Sequence, residues 1–158
     1  RGFQLMTQVA GRAGRRQKRG RVIIQSHDPQ QWVIQQVVAG NYNAVAKNEL
    51  GERQKFLYPP FARLIMLTFR HKEVELVDYC AASYNKELCT FLNENNVLGP
   101  EYPAVASVKN RFNKHIIIKV DRNANVAAVK AQLQELNNRF FQDSQFKAVR
   151  LIINVDPQ

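Results

Sequence analysis

From Phe61 onward the apolar residues change period in a fixed order, and that order restricts the fold more than any other property of the chain. Residues 62–70 form a nearly continuous apolar run (Leu64, Ile65, Met66, Leu67, Phe69), as a buried strand does. Val77, Cys80, Ala81, Tyr84, Leu88, Phe91 and Leu92 then recur at three- and four-residue steps, the stripe of one helix face. Leu98-Gly99-Pro100 breaks the stripe. Ala104, Ala106 and Val108 alternate as a second strand, residues 110–113 turn, and Ile116, Ile118 and Val120 carry a third. Another helical stripe runs through Val126, Val129, Leu133, Leu136 and Phe140, and Val149, Leu151, Ile153 and Val155 close the series as a strand. The order βαββαβ predicts an α+β, ferredoxin-like domain: an antiparallel four-stranded sheet with two helices on one face. Residues 64–69 and 116–120 are apolar on both strand faces, so the second face of the sheet is expected to be covered, either by another protein surface or by the part of the chain before Phe61.

Tyr58-Pro59-Pro60-Phe61 forces the backbone extended and divides the chain. Before it, residues 21–26 read as a short strand with a buried centre. Pro29 then opens a helix through Trp32, Val33, Gln36, Val37 and Val38, which Gly40-Asn41 ends. A further helix from Tyr42 to about Arg53 follows. Strand followed by helix suits the last layer of a RecA-like lobe, which places residues 1–54 in one domain and 55–158 in the ferredoxin-like one.

Residues 8–15 read Gln-Val-Ala-Gly-Arg-Ala-Gly-Arg. Two arginines three apart leave one face of a helical turn, and two glycines let the backbone crowd against a ligand. A plain basic segment touching nucleic-acid backbone or solvent is the competing reading. The spacing resembles motif VI of superfamily 2 helicases, which reaches across an interlobe cleft to ATP. That resemblance implies Arg12 and Arg15 as catalytic guanidinium groups on the terminal phosphate, with Gln8, Gly11 and Gly14 completing the nucleotide contact. Arg16, Lys18, Arg19 and Arg21 would then lie along DNA. No Gly-x-x-x-x-Gly-Lys-Ser/Thr loop and no Asp-Glu pair after an apolar strand occur in the sequence. The chain is therefore expected to be the C-terminal piece of a longer ATPase, without hydrolytic activity by itself.

Charge points the same way. The 158 residues carry a net charge of +10, and residues 1–21 hold seven cations and no acid, leaving only +3 for the rest. A polyanion is the natural partner of such a segment. Anionic membrane fits less well, since the basic stretch lacks a bulky apolar face and no apolar run is long enough to span a bilayer. No secretory or transit signal is evident, so a cytoplasmic protein is expected; a bacterial, nucleoid-associated monomer is what the helicase resemblance implies. Cys80 and Cys89, nine apart on one predicted helix, lie about 13 Å apart along its axis on opposite faces, and can neither bridge nor share a metal. His27, His71 and His115 have no partner at ligand spacing, so no zinc site is predicted.

Further blocks narrow the family. Asn41-Tyr42 through Glu49-Leu50 to Arg53, then Tyr58-Pro59-Pro60-Phe61, Leu98-Gly99-Pro100 with Pro103-Ala104, and the closing Val155-Asp156-Pro157 together resemble the end of the primosomal protein N′ (PriA) family of replication restart helicases. The likeness runs from Gln8 to the last residues. It implies an ATP- and Mg2+-dependent 3′ to 5′ DNA helicase that recognises stalled or repaired forks and starts primosome assembly, with zinc in an upstream module. It also implies a C-terminal domain that binds forked and single-stranded DNA, the acidic tail of single-stranded-DNA-binding protein, and other primosome proteins. Lys109, Arg111 and Lys114 cluster around the turn before the third strand, with Phe112 as a ring on which a base could stack, and suit DNA phosphates. Lys119 and Arg122 fall near the family's tail-binding position. Two other classes compete: a protein-docking assembly domain, and an RNA-binding βαββαβ module. The latter needs rings on its third strand, where Lys114-His115-Ile116-Ile117-Ile118-Lys119-Val120 supplies aliphatic residues.

Overall fold

The computed structural model describes residues 2–13 and 21–157 and divides the chain into two compact units, Arg1–Lys55 and Phe56–Gln158. The first unit holds helices α1 (Gly2–Ala10), α2 (Trp32–Val38) and α3 (Tyr42–Lys55). Its buried apolar residues are Phe3, Ile34 and Val45, with the rings of Phe3 and Tyr42 5.8 Å apart. Asn41 starts α3 by accepting the Ala44 N–H on its side-chain oxygen, which satisfies one free amide of the first turn. The strand expected at residues 21–26 is absent, and Ile23 is 80% exposed. A β-prone segment becomes a strand only by exchanging backbone hydrogen bonds with a neighbour, and no described residue of this unit offers one. The helix predicted from Pro29 starts three residues later, after a turn in which Asp28 caps the Gln30 N–H.

The second unit is built from β1 (Ala62–His71), α4 (Val74–Leu88), β2 (Val97–Glu101), β3 (Phe112–Asp121), α5 (Val126–Phe140) and β4 (Arg150–Val155). The strands lie in the order β2-β3-β1-β4, every neighbouring pair antiparallel, which is the ferredoxin-like arrangement. Helix α4 carries the chain across the place that β3 later fills, and α5 carries it across β1. The alternation of β1 and β3 sorts their side chains: Ile65, Leu67 and Phe69 oppose Ile118, Ile116 and Lys114, and this set faces α4 and α5. Val77, Cys80, Ala81, Tyr84 and Leu88 of α4 and Leu133 and Leu136 of α5 close the core over it. Tyr84 sits at its centre, edge-on to Phe69 and Phe140, and its hydroxyl donates to Asn137 Oδ1 at 2.5 Å. That bond spares a buried phenol the cost of an unmade hydrogen bond and joins the two helices. Burial pushes the Cys80 thiol up to about 12, so it packs as a small hydrophobe.

The second strand differs from the expectation. It occupies Val97–Glu101, across the Gly-Pro pair read as a breaker. Gly99 makes this work: with φ at +101°, a bulge shifts the register between Leu98 and Glu101, and a Cβ there would lie 2.6 Å from the His115 carbonyl oxygen. Residues 104–108, predicted as the strand, form instead one arm of a short hairpin. Val108 and Arg111 exchange backbone hydrogen bonds around Lys109-Asn110, both with positive φ, and Ser107 bridges to Phe112. These are the features of a type I′ turn.

Candidate nucleic-acid interface

The motif residues fall partly within the described part of the first unit. Gln8 lies exposed in the last turn of α1, lining an open cavity with Phe3, Gln4, Thr7 and Tyr42. Gly11 follows in the turn after the helix, its amide bonded to the Thr7 carbonyl, where a Cβ would approach that oxygen to 3.3 Å. Arg12 is exposed beside it, and so is Arg21. Gly14, Arg15, Arg16, Lys18 and Arg19 lie outside the described residues.

In the second unit the hairpin carries Lys109 and Arg111, both exposed, on either side of Asn110. Non-glycine residues at positive φ cost conformational energy, and here two of them hold a basic tip away from the sheet. Lys114 stands differently. Its side chain is only 15% exposed, and Nζ lies 2.5 Å from Asp78 Oδ1 on α4. Tyr102 donates its hydroxyl to the same oxygen at 2.5 Å, and the Lys114 ammonium sits 4.5 Å from the Tyr102 ring centre. Burial works against the Asp78 charge, but hydrogen bonds from Lys114 and Tyr102 and the Lys114 charge outweigh it and hold the carboxyl below its ordinary range. The bond to Asp78 pushes the Tyr102 phenol up to about 12. Lys114 thus braces the stretch leading into the hairpin against α4.

Lys119 is likewise engaged. Its ammonium donates to the Phe56 carbonyl at 2.8 Å and lies 4.4 Å from the Tyr58 ring centre, fixing the segment around the double proline against β3. Arg122 is exposed in the turn after β3. The structure therefore leaves Lys109, Arg111 and Arg122 presented to solvent and commits Lys114 and Lys119 to intramolecular contacts. Asp78 and Tyr102, which organise the hairpin's base, carry no local sequence signal, since Asp78 pairs 36 residues away and reads as an ordinary helix-surface acid. Among the described residues no group of three or more His, Cys, Asp or Glu side chains gathers to hold a metal, and no helix is long and apolar enough to cross a membrane.

Residues 54–158 match the family described as the primosomal protein N C-terminal domain. Among curated proteins, the chain is 31% identical over 98% of its length to the replication restart protein PriA of Bacillus subtilis, covering 19% of that protein. It is 36% identical to the PriA of Synechocystis over 75% of the chain and 14% of the relative, and 33% identical to that of Chlamydia muridarum over 98% and 20%. The chain thus spans about a fifth or less of the length of these relatives.

Proposed function

Since the chain belongs to the family of the primosomal protein N C-terminal domain, we propose that it is the C-terminal part of a replication restart protein, a DNA helicase driven by ATP. The observation that carries this reading is the extent of the likeness: 98% of the chain aligns with a replication restart protein, including the stretch before the family domain where the Gln-x-x-Gly-Arg-x-Gly-Arg spacing lies. In this reading Arg12 and Arg15 act on the terminal phosphate of ATP. Planar guanidinium groups match the oxygens on which charge accumulates as phosphate departs. Gln8, Gly11 and Gly14 complete the nucleotide contact. The phosphate cradle, magnesium ligands and zinc module belong to other parts of the whole protein, so the chain alone does not hydrolyse ATP. The division of the chain into the end of a helicase lobe, residues 1–54, and the DNA-binding domain, 55–158, is part of the same proposal.

The ferredoxin-like unit supplies the nucleic-acid contact. Lys109 and Arg111 stand exposed at the tip of a hairpin that Asp78, Tyr102 and Lys114 brace from below, a rigid mount for phosphate contacts. Forked and single-stranded DNA are the substrates this suits, and Arg16, Lys18, Arg19 and Arg21 are proposed as separate DNA contacts of the first unit. Exposed Arg122, with Lys119 beside it on β3, is the proposed place for the acidic tail of single-stranded-DNA-binding protein. The test uses the whole protein. Replacing Arg12 by alanine lowers DNA-stimulated ATP hydrolysis by a factor of about 10³, the scale of an arginine finger, while leaving DNA affinity in place. Unchanged turnover in that variant would refute the motif assignment.

A further inference from the structure

On the sheet face opposite the helices, Arg70 of β1 and Arg150 of β4 are direct cross-strand partners. Side chains so placed have Cβ atoms about 5 Å apart, and like charges there repel. The pair is not neutralised: among the described residues neither arginine joins an ion pair. One of the two is nevertheless held rigidly. Asn113, 4% exposed and opposite Arg70 on β3, accepts the Arg70 Nε–H on Oδ1 at 2.6 Å, while its own N–H is tied to the Ala106 carbonyl. That bond uses the inner nitrogen of the guanidinium and leaves its two outer amino groups unbonded to the protein. A buried amide thus orients a fork of donors beside a second, exposed guanidinium.

The surroundings repeat the charge. β3 begins, β1 ends and β4 begins at this same end of the sheet, so Lys72, Lys109, Arg111 and Lys147 all lie within four residues of the Asn113–Arg70–Arg150 row. One acid, Glu73 at the start of α4, falls in the same range. His115, the next residue on this face of β3, adds little charge: burial first, and then Arg70, hold its pKa below the ordinary histidine value. Farther along the face lie Thr68, Met66, Ile117 and Ile152, with no further cation on β3 until Lys119. A single carboxylate would need only one fork. Two guanidinium groups on adjacent strands, with the cations of the hairpin and of the strand ends following in the chain, match an anion that repeats.

We propose that Arg70 and Arg150 form a phosphate clamp for single-stranded nucleic acid, continuing across the sheet end from the hairpin. The clamp rests on the reading of the unit as a DNA-binding domain, and names a site that reading did not include. Backbone phosphates sit at the arginines, and a flexible single strand can bend to bring successive phosphates to them. The experiment is fluorescence anisotropy of the 158-residue chain with labelled oligothymidylate over a salt series, for the parent chain, R150Q, R70Q/R150Q and K109A/R111A. Removing one cation from a phosphate of a single strand flattens the slope of log affinity against log salt by about 0.7, so R150Q is expected to lower its magnitude by about 0.7 and the double variant by about 1.4. R150Q alone suffices should R70Q disturb Asn113, because the fold does not depend on the Arg150 side chain. An unchanged slope in R150Q, with a flattened one in K109A/R111A, overturns the clamp and leaves the DNA-binding reading standing. Absence of oligothymidylate binding by the parent chain at low salt overturns both. Loss in R150Q of affinity for an acidic peptide, without change for oligothymidylate, overturns the clamp in favour of a peptide-carboxylate site.

Discussion

The brace beneath the hairpin yields a quantity that can be worked from its geometry. A surface ion pair contributes about 0.2–1 kcal/mol, and a hydrogen bond to a charged group with little solvent access about 1.5–3 kcal/mol. Lys114 is 15% exposed and Asp78 42%, so the pair lies between these cases, and a coupling of about 1 kcal/mol is expected. The measurement is a double-mutant cycle of D78N, K114M and the double variant, followed by urea denaturation of the 158-residue chain. The single variants are expected to lower the midpoint without altering the slope, and the double variant to cost less than their sum. The sign of the pH dependence follows from the direction of the shift. Asp78 has its folded pKa depressed, so its contribution is present above the unfolded value and is lost as pH falls through the lowered one. The coupling should therefore persist at neutral pH and vanish in strong acid. Tyr102, raised from 10 to about 12, contributes in the opposite sense: fully below 10, and lost as pH climbs toward 12. The residue is 40% exposed, so solvent screening keeps that second contribution below about 1 kcal/mol. Additivity of the two substitutions within about 0.3 kcal/mol at neutral pH would refute the argument.

Replacing Gly99 by alanine is expected to destabilise the second unit by more than the roughly 1–3 kcal/mol of backbone strain alone, because the new Cβ meets the His115 carbonyl oxygen at 2.6 Å. A thermal midpoint equal to that of the parent would show that β2 does not bulge as described. The pair K109A/R111A should weaken forked-DNA binding and flatten its salt dependence by about 1.8, two phosphates at about 0.9 each on duplex. Its unfolding free energy should stay within about 0.5 kcal/mol of the parent, since both side chains are exposed, so a large stability loss would assign them a packing role instead.

The elements with a strong period were legible in the chain. β1 and β3 announce themselves as aliphatic runs, and the stripe from Val77 to Leu88 lands almost entirely in the core. What failed did so for identifiable reasons. Residues 21–26 have strand composition, but strand formation is a property of a pair, and no composition reveals whether the partner is there. Gly99-Pro100 reads as an interruption because its function, a bulge that lets one backbone press on another, depends on His115 sixteen positions on. The candidate interface divides along the same line. Exposure of Lys109 and Arg111 follows from a local turn, expected at residues 110–113 and found at Lys109-Asn110. The commitments of Lys114 to Asp78 and of Lys119 to Phe56, 36 and 63 residues distant, are made by topology, and so is the meeting of Arg70 with Arg150.

The place of β1 in the middle of the sheet has a kinetic corollary. Its two flanks are occupied by strands that the ribosome delivers much later, β3 and finally β4, whose Arg150 must find Arg70. Loop closure over such distances slows folding, and until β4 emerges this largely buried strand has an open edge on which another nascent chain could add. Synthesis that stalls before residue 150 would therefore yield an aggregation-prone polypeptide instead of a smaller working domain.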